Sequence, residues 1–227
     1  MDSQYHMELS QFSLQQLRHI VESGDLLPSE QILSEEVDQR FAILESMGIR
    51  SLKDLMGALS TKRKLERFAL ESGLPPKYLT ILRRRTGLYT PRPAPLKKLP
   101  RIAPQYVERL AMVGVKDTRQ LFERGKTAQD RAALATEAGV PERVVLELVK
   151  LSDLVRAPFV GPVYARWFYE AGADTLEKLA ASQAGDLCER MRQVNEDQEL
   201  TRVQVPAADE MASFLEFIQR IPLAIEY

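Results

Sequence analysis

A stretch of cations in the middle of the chain has the residue types that could bind a charged ligand. Residues 72–107 contain no aspartate or glutamate. Two tyrosines, Tyr78 and Tyr89, lie among the basic residues of this stretch. The basic residues are Lys77, Arg83, Arg84, Arg85, Arg92, Lys97, Lys98 and Arg101. Lysine and arginine side chains that neutralise several phosphates bind nucleic acid independently of its base sequence, and salt weakens that binding steeply. This stretch therefore predicts contact with a phosphate backbone.

The distribution of charge along the chain also permits a purely structural role for these cations. The 227 residues carry a net charge of −1, but residues 1–60 have ten acidic and four basic residues, whereas residues 61–107 have two acidic and twelve basic ones. Residues 108–227 have twenty acidic and fifteen basic residues. Arginines 83–85 would favour the negative end of a helix dipole, and the other cations would solvate a linker or pair with the acidic flanks. Charge alone leaves both interpretations open.

The elements that must position these residues are repeated along the sequence. Two stretches, which begin near Arg40 and Tyr106, match without a gap at an offset of 66 residues. The identities on this register are Leu44/Leu110, Gly48/Gly114, Leu55/Leu121, Thr61/Thr127, Ala69/Ala135, Glu71/Glu137, Gly73/Gly139, Pro75/Pro141, Leu82/Leu148 and Leu88/Leu154. Residues 160–179 match residues 102–121 at an offset of 58, which gives part of a third copy. A fixed period of this kind indicates a duplicated structural unit.

The copies share a joint between two predicted helices. In each copy a glycine is followed seven residues later by a leucine: Gly48/Leu55, Gly114/Leu121 and Gly172/Leu179. Each glycine ends an apolar helical pattern, where a residue with positive φ closes the last turn. The next helix opens with residue pairs that fit capping boxes, namely Ser51 with Asp54, Asp117 with Gln120 and Asp174 with Glu177. Since no segment alternates as a strand would, we predict an all-α fold of two full repeats and a partial third.

The placement of prolines indicates where the chain divides. Residues 88–100 include Pro91, Pro93, Pro95 and Pro100, which oppose a long helix and favour a stiff, extended, basic connector. We therefore predict an N-terminal part, residues 1–87, with a helical segment and the first repeat. The C-terminal part, residues 101–227, would hold the second and third repeats and further helices.

The third copy resembles a known module. Val160-Gly161-Pro162-Val163-Tyr164-Ala165, followed by Gly172, is similar to a helix-hairpin-helix motif, in which a tight hairpin joins two helices. Residues 96–221 resemble an uncharacterised family of tandem helix-hairpin-helix domains of unknown function. The shared segments are Leu151-Ser152-Asp153-Leu154-Val155-Arg156 and Gln193-Val194-Asn195-Glu196. The first repeat and the preceding Leu26-Leu27-Pro28-Ser29 resemble the longer members of that family.

The resemblance implies a DNA-binding module that holds the backbone without reading bases. In such hairpins glycines expose backbone N–H groups, which hold a phosphate together with the positive end of the following helix. The corresponding positions here are Glu35 and Val37, then Arg101 and Ala103, then Phe159 and Gly161. Carboxylates repel a phosphate. We therefore expect the first hairpin to bind no phosphate. The second keeps cations, and the third keeps Gly161 with Arg156 and Arg166 nearby, so both are candidate phosphate sites.

The other residue types that could do chemistry favour structural roles. The two histidines, His6 and His19, lie outside the repeats, and the sequence has no phosphate-cradling glycine loop, metal-binding histidine pair or nucleophile with a recognisable base. The single cysteine, Cys188, lies in an apolar helical pattern that predicts a packed thiol. We therefore expect no enzyme activity, no cofactor and no metal.

Three consecutive aromatic residues, Trp167, Phe168 and Tyr169, cannot all face one core. Neighbouring residues of a helix point about 100 degrees apart, so one of the rings must reach the surface or an adjacent repeat. Packing between repeats is favoured over an anchor for a partner protein.

The composition is that of an ordinary globular protein with 44% hydrophobic residues. No apolar run reaches the roughly 18 residues of a membrane span, and the N-terminal residues lack the pattern of a signal peptide. We expect a cytoplasmic protein without a membrane partner.

The leading hypothesis for function is weak, sequence-independent binding to the backbone of DNA or RNA. The rival hypothesis is a protein-interaction or structural scaffold whose hairpins bind no nucleic acid. The sequence indicates no oligomeric state.

Overall fold

In the computed structural model, residues 4–23, 26, 28–198 and 203–227 are described, and within these ranges the chain is helical without a strand. The all-α prediction is thereby confirmed for this part of the chain. Leu27, which belongs to the resemblance noted above, lies outside the described residues. Two compact units divide the chain: an N-terminal unit of residues 8–89 and a C-terminal unit of residues 1–7 and 90–227.

The N-terminal unit contains five α-helices and one 3-10 helix in its described residues. In chain order they are α1 (Leu14–Glu22), the 3-10 helix Pro28–Ser34, α2 (Val37–Ser46), α3 (Leu52–Ala58), α4 (Lys62–Ser72) and α5 (Pro76–Gly87). Helix α5 packs against α3, α4 and the 3-10 helix, while α1 packs against α2. Tyr78, Leu79 and Leu82 of α5 are fully buried in this core.

The C-terminal unit is built around α9 (Glu142–Val155). The other elements are the 3-10 helix Leu96–Lys98, α6 (Pro104–Met112), α7 (Thr118–Arg124), α8 (Ala128–Ala138), α10 (Pro162–Glu170), α11 (Leu176–Ala180), α12 (Ala184–Gln198) and α13 (Ala208–Ile218). Helix α9 packs against α7, α8 and α10. Its residues Leu148, Leu151 and Leu154 are fully buried.

Corresponding helices recur at the offsets found in the sequence. Helices α3, α4 and α5 begin 66 residues before α7, α8 and α9, respectively. Helices α10 and α11 begin 58 residues after α6 and α7. The local signals kept in each copy therefore give the same helix starts, because capping residues act within the first turn of a helix.

The glycine joints have the conformation that the sequence predicts. Gly48, Gly114 and Gly172 have φ values of 82°, 86° and 81°, and each follows the C-terminus of a helix. The capping boxes of Ser51 with Asp54 and of Asp117 with Gln120 are both present. The third prediction was wrong by one residue, because Thr175 caps α11 while Asp174 pairs with Lys150 and Lys178.

Two exposed glycines of the N-terminal unit provide a matched test of this joint. The left-handed conformation of Gly48 costs any L-residue with a Cβ about 1–2 kcal/mol, so Gly48→Ala is expected to lower the free energy of unfolding by about that amount. Gly57 lies within α3, where alanine is about 0.8–1.0 kcal/mol better than glycine. A Cβ at either position meets no atom within 4 Å. Urea unfolding of Gly48→Ala and Gly57→Ala should therefore give shifts of opposite sign; shifts of the same sign would contradict this assignment.

The proline-rich stretch packs within the C-terminal unit. Residues 90–100 belong to the C-terminal unit, where Leu96 and Leu99 are buried. The Leu96 N–H donates to the Lys116 carbonyl at 3.0 Å, and the Thr118 N–H donates to the Ala94 carbonyl at 2.9 Å. Prolines exclude a long helix here, but the leucines between them are buried, and this packing holds the segment against the chain that precedes α7.

The buried aromatic and sulfur side chains of the C-terminal unit follow the predicted pattern. Trp167 and Phe168 are buried, whereas Tyr169 is only half-buried. The Trp167 indole Nε1 donates to the Met191 carbonyl at 2.7 Å, which satisfies its one polar atom. Cys188 is a buried free thiol, as its apolar surroundings predicted.

Candidate nucleic-acid interface

The predicted basic residues are divided between the two units. Lys77, Arg83, Arg84 and Arg85 belong to the N-terminal unit, whereas Arg92, Lys97, Lys98, Arg101 and Gly161 belong to the C-terminal unit. All of these cations are exposed except Arg85, and Gly161 is half-buried. Each unit therefore presents its own set of cations.

In the N-terminal unit the cations lie on the outer face of α5. This helix contains no acid, and its helical periodicity places Lys77 and Arg84 on one line with Arg83 beside them. Arg84 donates from Nη2 to the Ser29 hydroxyl at 3.1 Å. Lys77 and Arg83 form no ion pair with any described acid. Arg85 faces inwards, where its guanidinium is buried and pairs with the buried Glu30 at 3.2 Å, so it is unavailable at the surface.

In the C-terminal unit Lys97, Lys98 and Arg101 lie in or directly before the second turn, residues 99–103, which joins the 3-10 helix Leu96–Lys98 to α6, and Arg92 precedes them in the chain. Lys97 and Lys98 extend from the 3-10 helix, and neither they nor Arg92 pair with a described acid. Arg101 lies in the turn with a φ of 62°, and its Nη1 is 3.9 Å from a carboxylate oxygen of Glu170. Two exposed, unpaired cations, Lys97 and Lys98, thus lie directly before the second turn, and a third, Arg101, lies in it near an acid.

The backbone of the second turn leaves several donors open. The N–H groups of Ile102, Ala103 and Gln105 donate to no acceptor in the described chain, while the Tyr106 N–H donates to the Ala103 carbonyl at 3.0 Å. Such donors are characteristic of the first turn of a helix, whose N-terminus carries a partial positive charge. The second turn therefore combines open N–H groups with exposed cations, the two features that bind an anion.

A buried arginine of α10 forms a hydrogen bond with the second turn. The buried Arg166 donates from Nε to the Pro100 carbonyl at 3.1 Å. Its Nη1 lies 2.7 Å from Glu147 and 3.2 Å from Glu170. These carboxylates neutralise the charge of the guanidinium. Arg166 therefore supports the turn and does not present a cation to a ligand.

The third turn, residues 156–161, lacks the surface cations expected there. Arg156 and Arg166 are 1% and 2% exposed, because each is buried with carboxylate partners. Gly161 caps α10 with an ordinary φ of −84°, and it is Phe159 that has the left-handed φ of 67°. Phe159 and Val163 are 46% and 40% exposed, so the third turn is largely apolar at its surface.

The first turn, residues 35–36, is acidic and pairs internally. Arg40 is buried, and its Nη2 lies 3.2 Å from Glu35 and 3.0 Å from Glu36. Its Nη1 also donates to the Ile32 carbonyl at 2.8 Å. Two exposed carboxylates beside one buried cation leave this turn unsuited to a phosphate.

A buried polar network in the C-terminal unit was not predicted. Arg156 donates from Nε to Asp153 at 2.7 Å, from Nη1 to the Gln4 carbonyl at 3.0 Å and from Nη2 to the Pro222 carbonyl at 2.6 Å. Asp153 also accepts from the Tyr227 hydroxyl at 2.9 Å. This network ties segments from both ends of the described chain to α9. The sequence showed only that Asp153 and Arg156 fall three residues apart on a helix.

The described ranges contain neither a metal-binding cluster nor a membrane-spanning helix. There, no three histidine, cysteine, aspartate or glutamate side chains converge as metal ligands would. No helix of the described chain has the length and apolar character needed to cross a membrane.

Comparison with known proteins places the C-terminal unit in a family. A family model described as a domain of unknown function, DUF4332, matches residues 100–219, which is more than half of the 227 residues. No curated protein and no solved structure matches the chain. The match includes the second turn from Pro100 and the whole third turn, and it agrees with the resemblance to an uncharacterised family over residues 96–221. The chain therefore belongs to the DUF4332 family of domains of unknown function.

Proposed function

We propose that this protein is a non-catalytic, sequence-independent nucleic-acid-binding protein whose contact site is the second turn. The observation that carries the proposal is the combination of exposed, unpaired Arg92, Lys97 and Lys98 with the open N–H groups of Ile102 and Ala103. Backbone N–H groups at a helix N-terminus hold one phosphate, and neighbouring cations neutralise the next ones. No base edge needs to be read in such an arrangement.

We further propose that the repeats are tandem helix-hairpin-helix units with altered hairpins. Support comes from the positive φ values of Glu36, Arg101 and Phe159, one in each of the three turns. Among described residues these are the only non-glycine residues with positive φ. Arg101 and Phe159 are corresponding positions, and Glu36 lies one residue after Glu35, the corresponding position of the first copy, so a conformation that glycine adopts without cost recurs in three turns that lack glycine there. In this proposal Arg101 replaces the glycine of the second turn and adds a cation.

The cations of α5 form a second set that the proposal includes. The outer face of α5 contains no acid and carries Lys77, Arg83 and Arg84. These cations of the N-terminal unit would make additional contacts with nucleic-acid phosphates. Arg85 is left out because it is buried against Glu30. Gly161 is left out because the third turn has no exposed cation beside it.

The salt dependence of binding tests the proposal. The protein is expected to bind labelled DNA in low salt, and the triple variant Arg92→Ala, Lys97→Ala and Lys98→Ala is expected to bind about tenfold or more weakly. The slope of log affinity against log salt is negative, and each phosphate contact contributes about −0.9 to it on duplex DNA. Loss of three contacts should therefore make the slope shallower by about 2 to 3. Fluorescence anisotropy at several salt concentrations measures both quantities.

A matched variant separates local contacts from total charge. Lys178, Arg190 and Arg192 are exposed cations of the same unit, and their replacement by alanine removes the same charge. This control is expected to bind nearly as the natural protein does. Equal losses in both triple variants, or no binding at the lowest salt concentration, would contradict the proposal.

The third turn supports a second candidate function, a protein-interaction scaffold. Its exposed Phe159 and Val163 would suit an apolar contact, whereas a phosphate site would require exposed cations. The scaffold becomes the better proposal if DNA and RNA both fail to bind in low salt. It is contradicted if Phe159→Ser binds the same protein partners in a pull-down as the natural chain.

A further inference from the structure

A cleft in the C-terminal unit opens next to the second turn. It has a volume of about 610 Å³ and lies between the start of α6, the end of α8 and the start of α9. The lining residues are Gln105, Tyr106, Arg109, Ala132, Ala135, Thr136, Gly139, Val140, Pro141 and Glu142. Its volume falls in the roughly 300–1,000 Å³ range of small-molecule sites.

The lining of this cleft suits an uncharged planar group better than a phosphate. Arg109 is its one cation, and its Nη1 already donates to the Gly139 carbonyl at 2.6 Å. Glu142 adds one acid to the lining, so the lining carries no net charge. Tyr106 is half-buried: part of its ring packs on the core, and the rest lines the cleft. A tyrosine ring with polar neighbours is the kind of surface on which a nucleobase stacks.

The second copy differs from the other two at this tyrosine. The corresponding residue of the first copy is Arg40, which is buried and paired with Glu35 and Glu36. In the third copy it is Tyr164, whose ring lies 5.8 Å from that of Trp167 and 6.2 Å from that of Phe168. Tyr164 is thus engaged in an aromatic cluster, whereas Tyr106 lines an open cleft.

The cleft and the second turn are adjacent along α6. Tyr106 is the third residue of α6, so it lies about 3 Å along the helix axis from Pro104, which directly follows the second turn. A phosphate held by the N–H groups of Ile102 and Ala103 would therefore have its attached sugar and base within reach of the cleft. In a duplex the bases are stacked and paired, so a base can enter only from a single strand or after unpairing.

We propose that the cleft receives an unstacked base of a single-stranded nucleic acid, which stacks on Tyr106 while the adjoining phosphate lies on the second turn. This inference rests on the proposed function and adds to it a preference for single strands that carry bases. The base makes face contacts with the tyrosine ring, so pyrimidine and purine strands both bind.

Three labelled ligands of equal length test the inference by fluorescence anisotropy: oligothymidylate, an abasic single strand and a duplex. The natural protein is expected to bind oligothymidylate at least about fivefold more tightly than the abasic strand, the low end of the effect of one stacked base. Tyr106→Leu should remove that preference and leave the abasic strand and the duplex unchanged. Tyr164→Leu, at the corresponding half-buried tyrosine of the third copy, should change none of the three.

A second variant guards against misfolding of the first. Thr136→Leu adds bulk at an exposed position on the opposite wall of the cleft and should also remove the preference for oligothymidylate. Equal binding of oligothymidylate and the abasic strand by the natural protein would overturn the inference, and so would an unchanged preference in both cleft variants. In these cases the triple alanine variant would still lose binding, and the proposed function would stand. Failure of all three ligands to bind in low salt would overturn both.

Discussion

Replacing Asp153 by alanine is expected to lower the free energy of unfolding by about 3–5 kcal/mol, the range found when one partner of a buried ion pair is removed. Asp153 is buried, and it accepts from Arg156 Nε, from the Tyr227 hydroxyl and from the Leu176 N–H at 3.4 Å. The alanine variant leaves the Arg156 guanidinium buried without a carboxylate. Burial, followed by the charge of Asp153, raises the pKa of the Tyr227 hydroxyl, so this group stays protonated and donates.

Urea unfolding followed by circular dichroism measures this effect. Asp186→Ala, at an exposed aspartate of α12, serves as the control and should change stability by no more than about 0.5 kcal/mol. Because the two partners share one interaction, the variant Asp153→Ala with Arg156→Met should be destabilised by less than the sum of the single variants. An Asp153→Ala variant as stable as the control would show that the network does not stabilise the fold.

Replacing Tyr5 by alanine is expected to destabilise the C-terminal unit by about 3 kcal/mol, as for other buried aromatic residues. Tyr5 is fully buried, its hydroxyl lies 2.9 Å from that of Thr118, and its ring meets the Phe122 ring edge to face at 5.2 Å. Burial raises the pKa of its hydroxyl. The residue stands at the start of the chain, but the structure joins it to α7, more than a hundred residues later.

Hydrogen exchange with mass spectrometry locates this effect. Tyr5→Ala should raise exchange in α7 and leave α3 and α4 of the N-terminal unit unchanged. Tyr5→Phe keeps the ring and loses the hydrogen bond to Thr118, so its cost should be about 1 kcal/mol. Faster exchange in α3 and α4, with α7 unaffected, would show that Tyr5 does not belong to the C-terminal unit.

Each of the three turns contains one residue with a left-handed backbone, but the residue types at their surfaces differ. Glu36, Arg101 and Phe159 keep a left-handed backbone that costs each of them about 1 kcal/mol or more. The contacts around each turn hold that conformation, as Arg166 does at Pro100. The surfaces of the turns nevertheless differ: acidic in the first, basic in the second and apolar in the third.

The local features of the fold were predictable because their causes lie within a few residues. A glycine ends a helix, and a serine or aspartate opens the next one, without help from distant parts of the chain. The same reasoning misplaced the cap of α11. Asp174 and Thr175 are both good capping residues, and the pairing of Asp174 with Lys150 of α9 leaves the cap to Thr175.

The sequence by itself determined the helical class, the repeat offsets, the joints at Gly48, Gly114 and Gly172, and the position of the basic stretch. Only the tertiary structure decided which cations are available. Arg85 and Arg166 are as basic in sequence as Lys97 and Lys98, yet they are buried against Glu30 and Glu147, carboxylates that the fold brings to them. It likewise decided that Tyr106 lines a cleft while Tyr164 joins an aromatic cluster. Burial and pairing depend on residues far apart in the chain, so they follow from packing and not from local pattern.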